Sequence, residues 1–278
     1  MEISFNEVTT LLNGTIEEDI RAAAEYGFHC MEIRQEKLYA YRRAGHTAGD
    51  LKRLLKENGI RPVCYDAQHG FSFRHKQDMR TIRELCEMNC ALLRELGIPN
   101  LEVVAAADVP GASAEEVHTE TVRALSILSE IAEAYGVRLA LEYMGLPANS
   151  VRTFSAALDI VRDTGKENVG LLVDTWHHYM GGAAPGDLLK ARKEEIFVVH
   201  LSDIQPHTPF TAKRSECLFP GEGAIPIPEM LKALHTIGYD DFASVEVFSK
   251  EKKEAPLGEL VRKAAESARG VFMKAELL

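Results

Sequence analysis

No apolar run in the 278 residues approaches the roughly 20 that a helix needs to cross a bilayer, which excludes a helical membrane span. Positive charge is in deficit. Lys and Arg number 32 against 42 Asp and Glu, a net charge of -10, where a phosphate-backbone binder would show a basic excess. That balance argues against nucleic acid as a partner. The first residues, MEISFNEVTTLLNG, carry Glu2 and Glu7 and no basic n-region, so they do not read as a signal peptide. Cysteine is scarce and odd in number, at five, which does not suit a disulfide framework. Cys30, Cys64 and Cys90 sit in or beside apolar segments, as free core thiols do. Cys86 and Cys90 lie four apart on a predicted helix, but no second Cys pair completes a zinc site. The expectation is a reduced, cytoplasmic protein. Strand 1 also lacks the glycine-rich G-x-G-x-x-G turn of an open dinucleotide-binding sheet and runs instead into FNEVTTLLNG.

What is present is an alternation. Short apolar, partly β-branched runs at 2–5, 30–34, 60–65, 101–106, 137–142, 169–174, 196–201 and 242–247 read as strands. Amphipathic stretches near 15–27, 47–58, 76–97, 113–135, 153–164, 186–194, 227–237 and 256–276 read as helices. Gly27, Gly59, Gly97, Gly136 and Gly238 each follow a helical stretch as C-terminal caps, and Ser113 with Glu116 forms a capping-box pattern. Eight βα units in a row imply a parallel sheet with helices outside. A chain of this length predicts one closed (β/α)8 TIM barrel, a single domain over 1–278; such barrels typically need about 250 residues.

The stretch VGLLVDTWHHYMGG sets the functional question. A buried run ends on Asp174, followed by Trp176, His177 and His178. Three other strands end alike: VRLALE on Glu142, IFVVH on His200 and FASVE on Glu246. Any one of these could be a solvated loop residue. Four on successive strands converge on one mouth, because the carboxyl ends of barrel strands form the active-site face. Three carboxylates in a dry cleft repel, so a proton or a cation must sit among them. A divalent metal held by Glu142, Asp174, His200 and Glu246 is the economical solution. Three hard oxygens and one nitrogen suit Mn²⁺ first, then Co²⁺, Mg²⁺ or Zn²⁺. Six-coordination would leave room for two oxygens of an α-hydroxyketone. Glu142 and Glu246 would flank that substrate. One could remove a proton beside the ketone and the other return it, with the metal as Lewis acid. That is isomerase or epimerase chemistry.

At these residues the chain resembles the xylose-isomerase-like (sugar phosphate isomerase/epimerase) barrels. FNEVTT, MEIR, GVRLALEYMG, NVGLLVDTWHHYMGG, IFVVHLSD, FPGEGAI and SVEVF together resemble the inosose isomerase (2-keto-myo-inositol isomerase) family of bacterial inositol catabolism, over nearly the whole chain. FNEVTT and FPGEGAI narrow the likeness; the acid-ended strands belong to the whole superfamily. The resemblance implies interconversion of 2-keto-myo-inositol and 1-keto-D-chiro-inositol through a cis-enediol. It implies a metal held by Glu142, Asp174, His200 and Glu246, with Glu142 and Glu246 as the acid/base pair. His177 matches the family's substrate-contacting histidine, with His178 as the alternative.

Trp176, the only tryptophan, could wall the pocket or pack in the core. Arg214 is a candidate contact to a substrate hydroxyl or enediolate, against a plain surface cation. Glu32 and Asn6 could line the mouth as substrate contacts or anchor loops. Asp203, three after His200, could orient that imidazole or cap a turn. His69, His75 and His207 sit in polar loops and read as solvated. Glu222, central in the GEG of the loop after strand 7, would repel a phosphate and favours an uncharged polyol. Phe71 and Phe73 could cap a ring substrate. Within the superfamily, a ketose 3-epimerase, hydroxypyruvate isomerase or inosose dehydratase would use the same metal and carboxylates. An endonuclease IV-like phosphodiesterase would need several zincs and more strand-end histidines. A non-catalytic sugar- or protein-binding barrel would not need both Glu142 and Glu246. The expected partner is a small polyol-ketone, with no membrane; a homo-oligomer is left open.

Overall fold

Eight parallel strands close in sequence order into a barrel in the computed structural model, which describes residues 1–206, 212–248 and 254–278. The strands are β1 (Glu2–Asn6), β2 (Cys30–Arg34), β3 (Arg61–His69), β4 (Asn100–Val104), β5 (Arg138–Glu142), β6 (Val169–Asp174), β7 (Ile196–Leu201) and β8 (Phe242–Val245). The helices are α1 (Ile16–Glu25), α2 (Gln35–Arg43), α3 (Ala48–Glu57), α4 (Lys76–Leu96), α5 (Ala114–Glu133), α6 (Phe154–Thr164), α7 (Thr175–Met180), α8 (Ile227–Thr236) and α9 (Leu257–Lys274). Among the described residues no helix is long and apolar enough to cross a membrane.

The predicted alternation is present, with three local differences. The segment expected as a helix at 186–194 is two 3-10 turns, Pro185–Lys190 and Lys193–Glu195. Helices α2 and α7 start directly from strand ends. Each is short, six or nine residues, too little for an amphipathic period to stand out. Strand β3 runs on to His69, past the expected end at Tyr65. The end signals act as expected. Ser113 Oγ accepts the Glu116 N–H at 3.2 Å, while the Glu116 carboxylate accepts the Ser113 N–H at 2.8 Å.

Two apolar layers hold the barrel. Inward-facing Cys30, Cys64, Ala140, Leu172, Val198 and Phe242 fill its lower interior. A larger core fills the space between strands and helices. The upper interior is polar. Residues paired across strands share a face, so Glu142 opposite Leu172, Asp174 opposite His200, and His200 opposite Ser244 all point inward. The shear of the closed sheet lets residues at different positions along their strands meet at one height. Glu246 lies just past β8, yet its N–H still donates to Leu201 O at 3.1 Å, which fixes its backbone beside β7.

Candidate active site

The ligating atoms of Glu142, Asp174, His200 and Glu246 lie within 4.8 Å of one another, and all four side chains are buried. Each is held by a local device. Asp174 ends β6 and caps α7: its Oδ1 accepts the N–H groups of Trp176 at 2.6 Å and His177 at 3.2 Å. A short helix therefore starts at Asp174 because a carboxylate stands at its N-cap. Its other oxygen, Oδ2, is buried and faces the cluster, where it meets the Arg214 guanidinium. His200 Nε2 lies 3.0 Å from Glu32 Oε2 and 3.1 Å from Oε1. Its Nδ1 faces the cluster, 3.3 Å from Glu246; burial would lower the imidazole, but Glu32 and Glu246 outweigh it and hold it well above its ordinary value.

Glu32 was expected at the mouth as a substrate contact. The structure gives it a different partner: it is fully buried beneath His200, with Asn6 Nδ2 at 3.4 Å on its second oxygen. Asn6 in turn accepts the Val8 N–H at 2.9 Å, the anchoring alternative. Arg214 reaches in from the loop after β7, 2.9 Å from Asp174 Oδ2 and 2.6 Å from Glu246 Oε2. Its guanidinium also lies 5.3 Å from the ring centre of Trp176, which is wholly buried and walls this side of the site.

The two adjacent histidines separate clearly. His178 is engaged on both nitrogens, Nδ1 2.8 Å from the Tyr143 hydroxyl and Nε2 3.0 Å from Ala184 O. It is structural. His177 Nδ1 accepts the Gly145 N–H at 3.0 Å, so its proton sits on Nε2. That N–H has no hydrogen-bond partner and points toward Glu142 Oε1, 3.9 Å away. Burial, joined by the charge of Arg214, pushes the His177 imidazole well below its ordinary value and keeps it neutral.

The carboxyls are unequal. Burial raises Glu142 well above the usual carboxylate range, and Glu102, Glu246 and Asp174 push it the same way. Burial raises Asp174 against the pull of Arg214. Burial would raise Glu246 too, but His200 and Arg214 outweigh it and hold the group below its ordinary value. Three acids thus share one dry site with one guanidinium and one imidazole. The donor set fits a divalent ion: three carboxylates and one imidazole converge within 4.8 Å, and one guanidinium and one imidazole do not balance three acids.

Other expectations resolve differently. Asp203 does not reach His200. Its Oδ1 accepts the N–H groups of Ile204 and Ile225 and its Oδ2 those of Gly221 and Gly223, at 2.9–3.0 Å. The amides that could have cradled a phosphate are spent on the protein's own carboxylate. Gly223 is required there, since a Cβ would collide with Asp203 and with Ile204 O. Glu222 turns outward to Lys263 at 2.7 Å. Phe71 is buried in the core, and Phe73 packs near Glu120, where its N–H donates at 3.2 Å. His69 and His75 are exposed, and His207 lies outside the described residues. A second group, Asp66, His69 and Glu102 with Arg34 beside it, also stands at the mouth. Its signal in the sequence is faint: a charge inside each of the apolar runs RPVCYDA and LEVVAA.

The model of the family described as xylose isomerase-like TIM barrel matches residues 20–271. An inosose isomerase of Bacillus velezensis is 32% identical over 275 residues, covering 99% of this chain and 98% of that protein. One from Bacillus subtilis is 30% identical over 275 residues, 99% of each. A solved crystal structure of the IOLI protein with a binding zinc atom matches with a TM-score of 0.95 at 30% identity, covering 99% of each chain.

Proposed function

The chain belongs to the xylose isomerase-like TIM barrel family, and from that premise we propose that it is an inosose isomerase, interconverting 2-keto-myo-inositol and 1-keto-D-chiro-inositol by proton transfer. The observation that carries the reading is the buried cluster of Glu142, Asp174, His200 and Glu246, all within 4.8 Å. These four residues would hold one divalent ion, which when bound supplies Lewis acidity at the substrate ketone. Manganese suits the mixed oxygen and nitrogen set, and the zinc of the IOLI structure makes zinc the ion to test beside it.

The chain's own groups do the rest. Glu142 on β5 and Glu246 after β8 reach the cluster from different sides of the barrel. Each carboxylate has two oxygens, so one can bind an ion while the other handles a proton. One takes the proton from the hydroxyl-bearing carbon beside the ketone, the other gives its own proton to the former carbonyl carbon, and the hydroxyl proton passes to the former ketone oxygen, so that ketone and alcohol exchange places. The roles exchange when the direction reverses. His177, neutral with Nε2–H directed at the site, is placed to donate to a substrate oxygen. Arg214 is placed to steady negative charge that develops on the oxygens during transfer. Trp176 closes one wall against water. The loop amides spent on Asp203 favour an uncharged polyol over a sugar phosphate. Five free, buried thiols fit a reduced, cytoplasmic setting.

The test is proton exchange followed by NMR. Metal-loaded protein is incubated with 2-keto-myo-inositol in D₂O. Deuterium uptake beside the ketone with formation of 1-keto-D-chiro-inositol is expected. Water loss to a diketone would make the protein a dehydratase. Absence of both exchange and product would reject inosose as the substrate.

A further inference from the structure

The barrel mouth has a second half that the proton-transfer chemistry leaves unused. Arg34 ends β2, Asp66 lies opposite it on β3, and Glu102 points inward from β4. Ligand atoms of Asp66, His69 and Glu102 lie within 4.8 Å of one another. Asp66 and Glu102 are buried, while His69 is exposed and connects the group to solvent. Arg34 Nη1 donates to Asp66 Oδ2. The remaining oxygens, Asp66 Oδ1 and Glu102 Oε2, are fully buried and have no hydrogen-bond partner. Orphaned carboxylate oxygens of this kind cost free energy unless a donor arrives.

The group lies near the first cluster. Glu102 lies close enough to His200, Glu246 and Glu142 for their charges to act on one another, and His69 feels Glu246. What kind of donor fits follows from the charges. Arg34 Nε and Nη2 also pair with Glu36 at 3.2 and 3.0 Å, so its Nη1 stands as a fixed guanidinium donor against Asp66 where a second divalent ion would have to sit. Neutral donors fit better. Carboxylates accept only, and a polyol presents O–H groups that donate to them while their oxygens accept from Arg34.

We propose that Asp66, His69 and Glu102, with Arg34, form a subsite that grips the hydroxyl groups of the polyol ring remote from the ketone. The proposal rests on the inosose reading, and it assigns specificity to β2–β4 and proton transfer to β5–β8. Asp66 and Glu102 accept hydrogen bonds from the ring hydroxyls. His69 contacts the ring at the solvent side.

The experiment uses the full chain loaded with Mn²⁺ or Zn²⁺, with the ion counted per chain. Asp66→Asn, Glu102→Gln and His69→Ala are compared with wild type. His69 is exposed, so its replacement does not threaten the barrel; near-ultraviolet circular dichroism checks the other two. Turnover of 2-keto-myo-inositol and of its 5-deoxy analogue gives one readout. Calorimetric binding of myo-inositol, which has no ketone and cannot react, gives the other. Expected are one ion per chain and a rise in KM of roughly 10- to 100-fold for Asp66→Asn and Glu102→Gln, with a smaller fall in kcat. The 5-deoxy analogue should lose as much on wild type but little more on these variants. Wild-type turnover with unchanged KM and unchanged discrimination in the variants would overturn the subsite and leave the isomerase standing. Myo-inositol binding that the variants lose, without any turnover of inosose, would uphold the subsite and reject the isomerase. Two tightly bound ions per chain would make the group a metal site and overturn the proposal.

Discussion

Glu246 and Glu195 are both buried glutamates met by arginine, at opposite ends of one barrel, and they are treated differently. Glu195 precedes β7 at the rim away from the mouth. Arg162 Nε and Arg192 Nη2 donate to its Oε1 at 2.8 Å, and Arg162 Nη2 and the Arg192 N–H donate to its Oε2 at 3.0 and 2.8 Å. Both oxygens are satisfied, and the charge is more than neutralised. Glu246 shares its space with two other carboxylates, its one arginine, Arg214, is divided between it and Asp174, and His177 Nε2 nearby lacks a hydrogen bond. The rim is arranged to hold the barrel shut. The mouth keeps unsatisfied groups that only an ion, a proton or a substrate can complete. Clustered carboxyls with displaced pKa values mark function more often than stability.

If that division is right, mutations at the two ends fail in different assays. The largest effect is expected at the proposed acid/base pair. Glu142→Gln and Glu246→Gln should each lower turnover by about 10³-fold or more, while Glu142→Gln leaves the melting temperature of metal-free protein unchanged or raised, since one repelling carboxylate is gone. Wild-type turnover in either variant would remove that residue from proton transfer. Chelation comes next. Protein shown by elemental analysis to be metal-free should be inactive and regain turnover with Mn²⁺, Co²⁺ or Zn²⁺; full activity without metal would end the comparison, because the mouth would then need no ion. Asp203→Ala lies between the two regions. It strands four backbone N–H groups and should cost about 2–4 kcal/mol in urea unfolding. Its activity should fall only as far as the loop carrying Arg214 moves. Unchanged stability would show that water replaces the carboxylate.

The smallest effect belongs to the rim. Glu195→Gln should cost about 1 kcal/mol of stability at neutral pH with turnover intact, as its arginines are partly exposed. The sign with pH follows from its depressed pKa. Burial would raise the group, but Arg162 and Arg192 outweigh it. The stabilisation is therefore complete above the ordinary carboxylate value and is lost as pH falls through the lower folded value. Wild type and variant should converge in acid. A gap that stays constant with pH would locate the effect in packing instead.

Much of this was legible in the chain because the signals are local. Apolar runs alternating with amphipathic stretches, and glycines after helices, are short-range patterns. Glu142, Asp174, His200 and Glu246 stood out because each closes a run of apolar residues. The partners of these residues were not legible. Glu32 meets His200 across 168 residues, and Arg214 meets Glu246 across 32. Asp203 looked like an orienting group by its spacing from His200, yet its backbone places it under the GEG loop. Glu102 and Asp66 were not singled out, because nothing nearby in sequence pairs with them.

The sequence by itself determined the order of strands and helices, the parallel closed sheet and the four donor residues at strand ends, because propensity and hydrophobic period act over a few residues. The tertiary structure alone decided which oxygen of Asp174 caps a helix and which meets Arg214, which nitrogen of His177 carries a proton, that Glu32 pairs with His200, and that a second polar group lies near the first. Those outcomes depend on barrel shear and on contacts between distant strands, and closing the barrel is what brings such groups within hydrogen-bond reach.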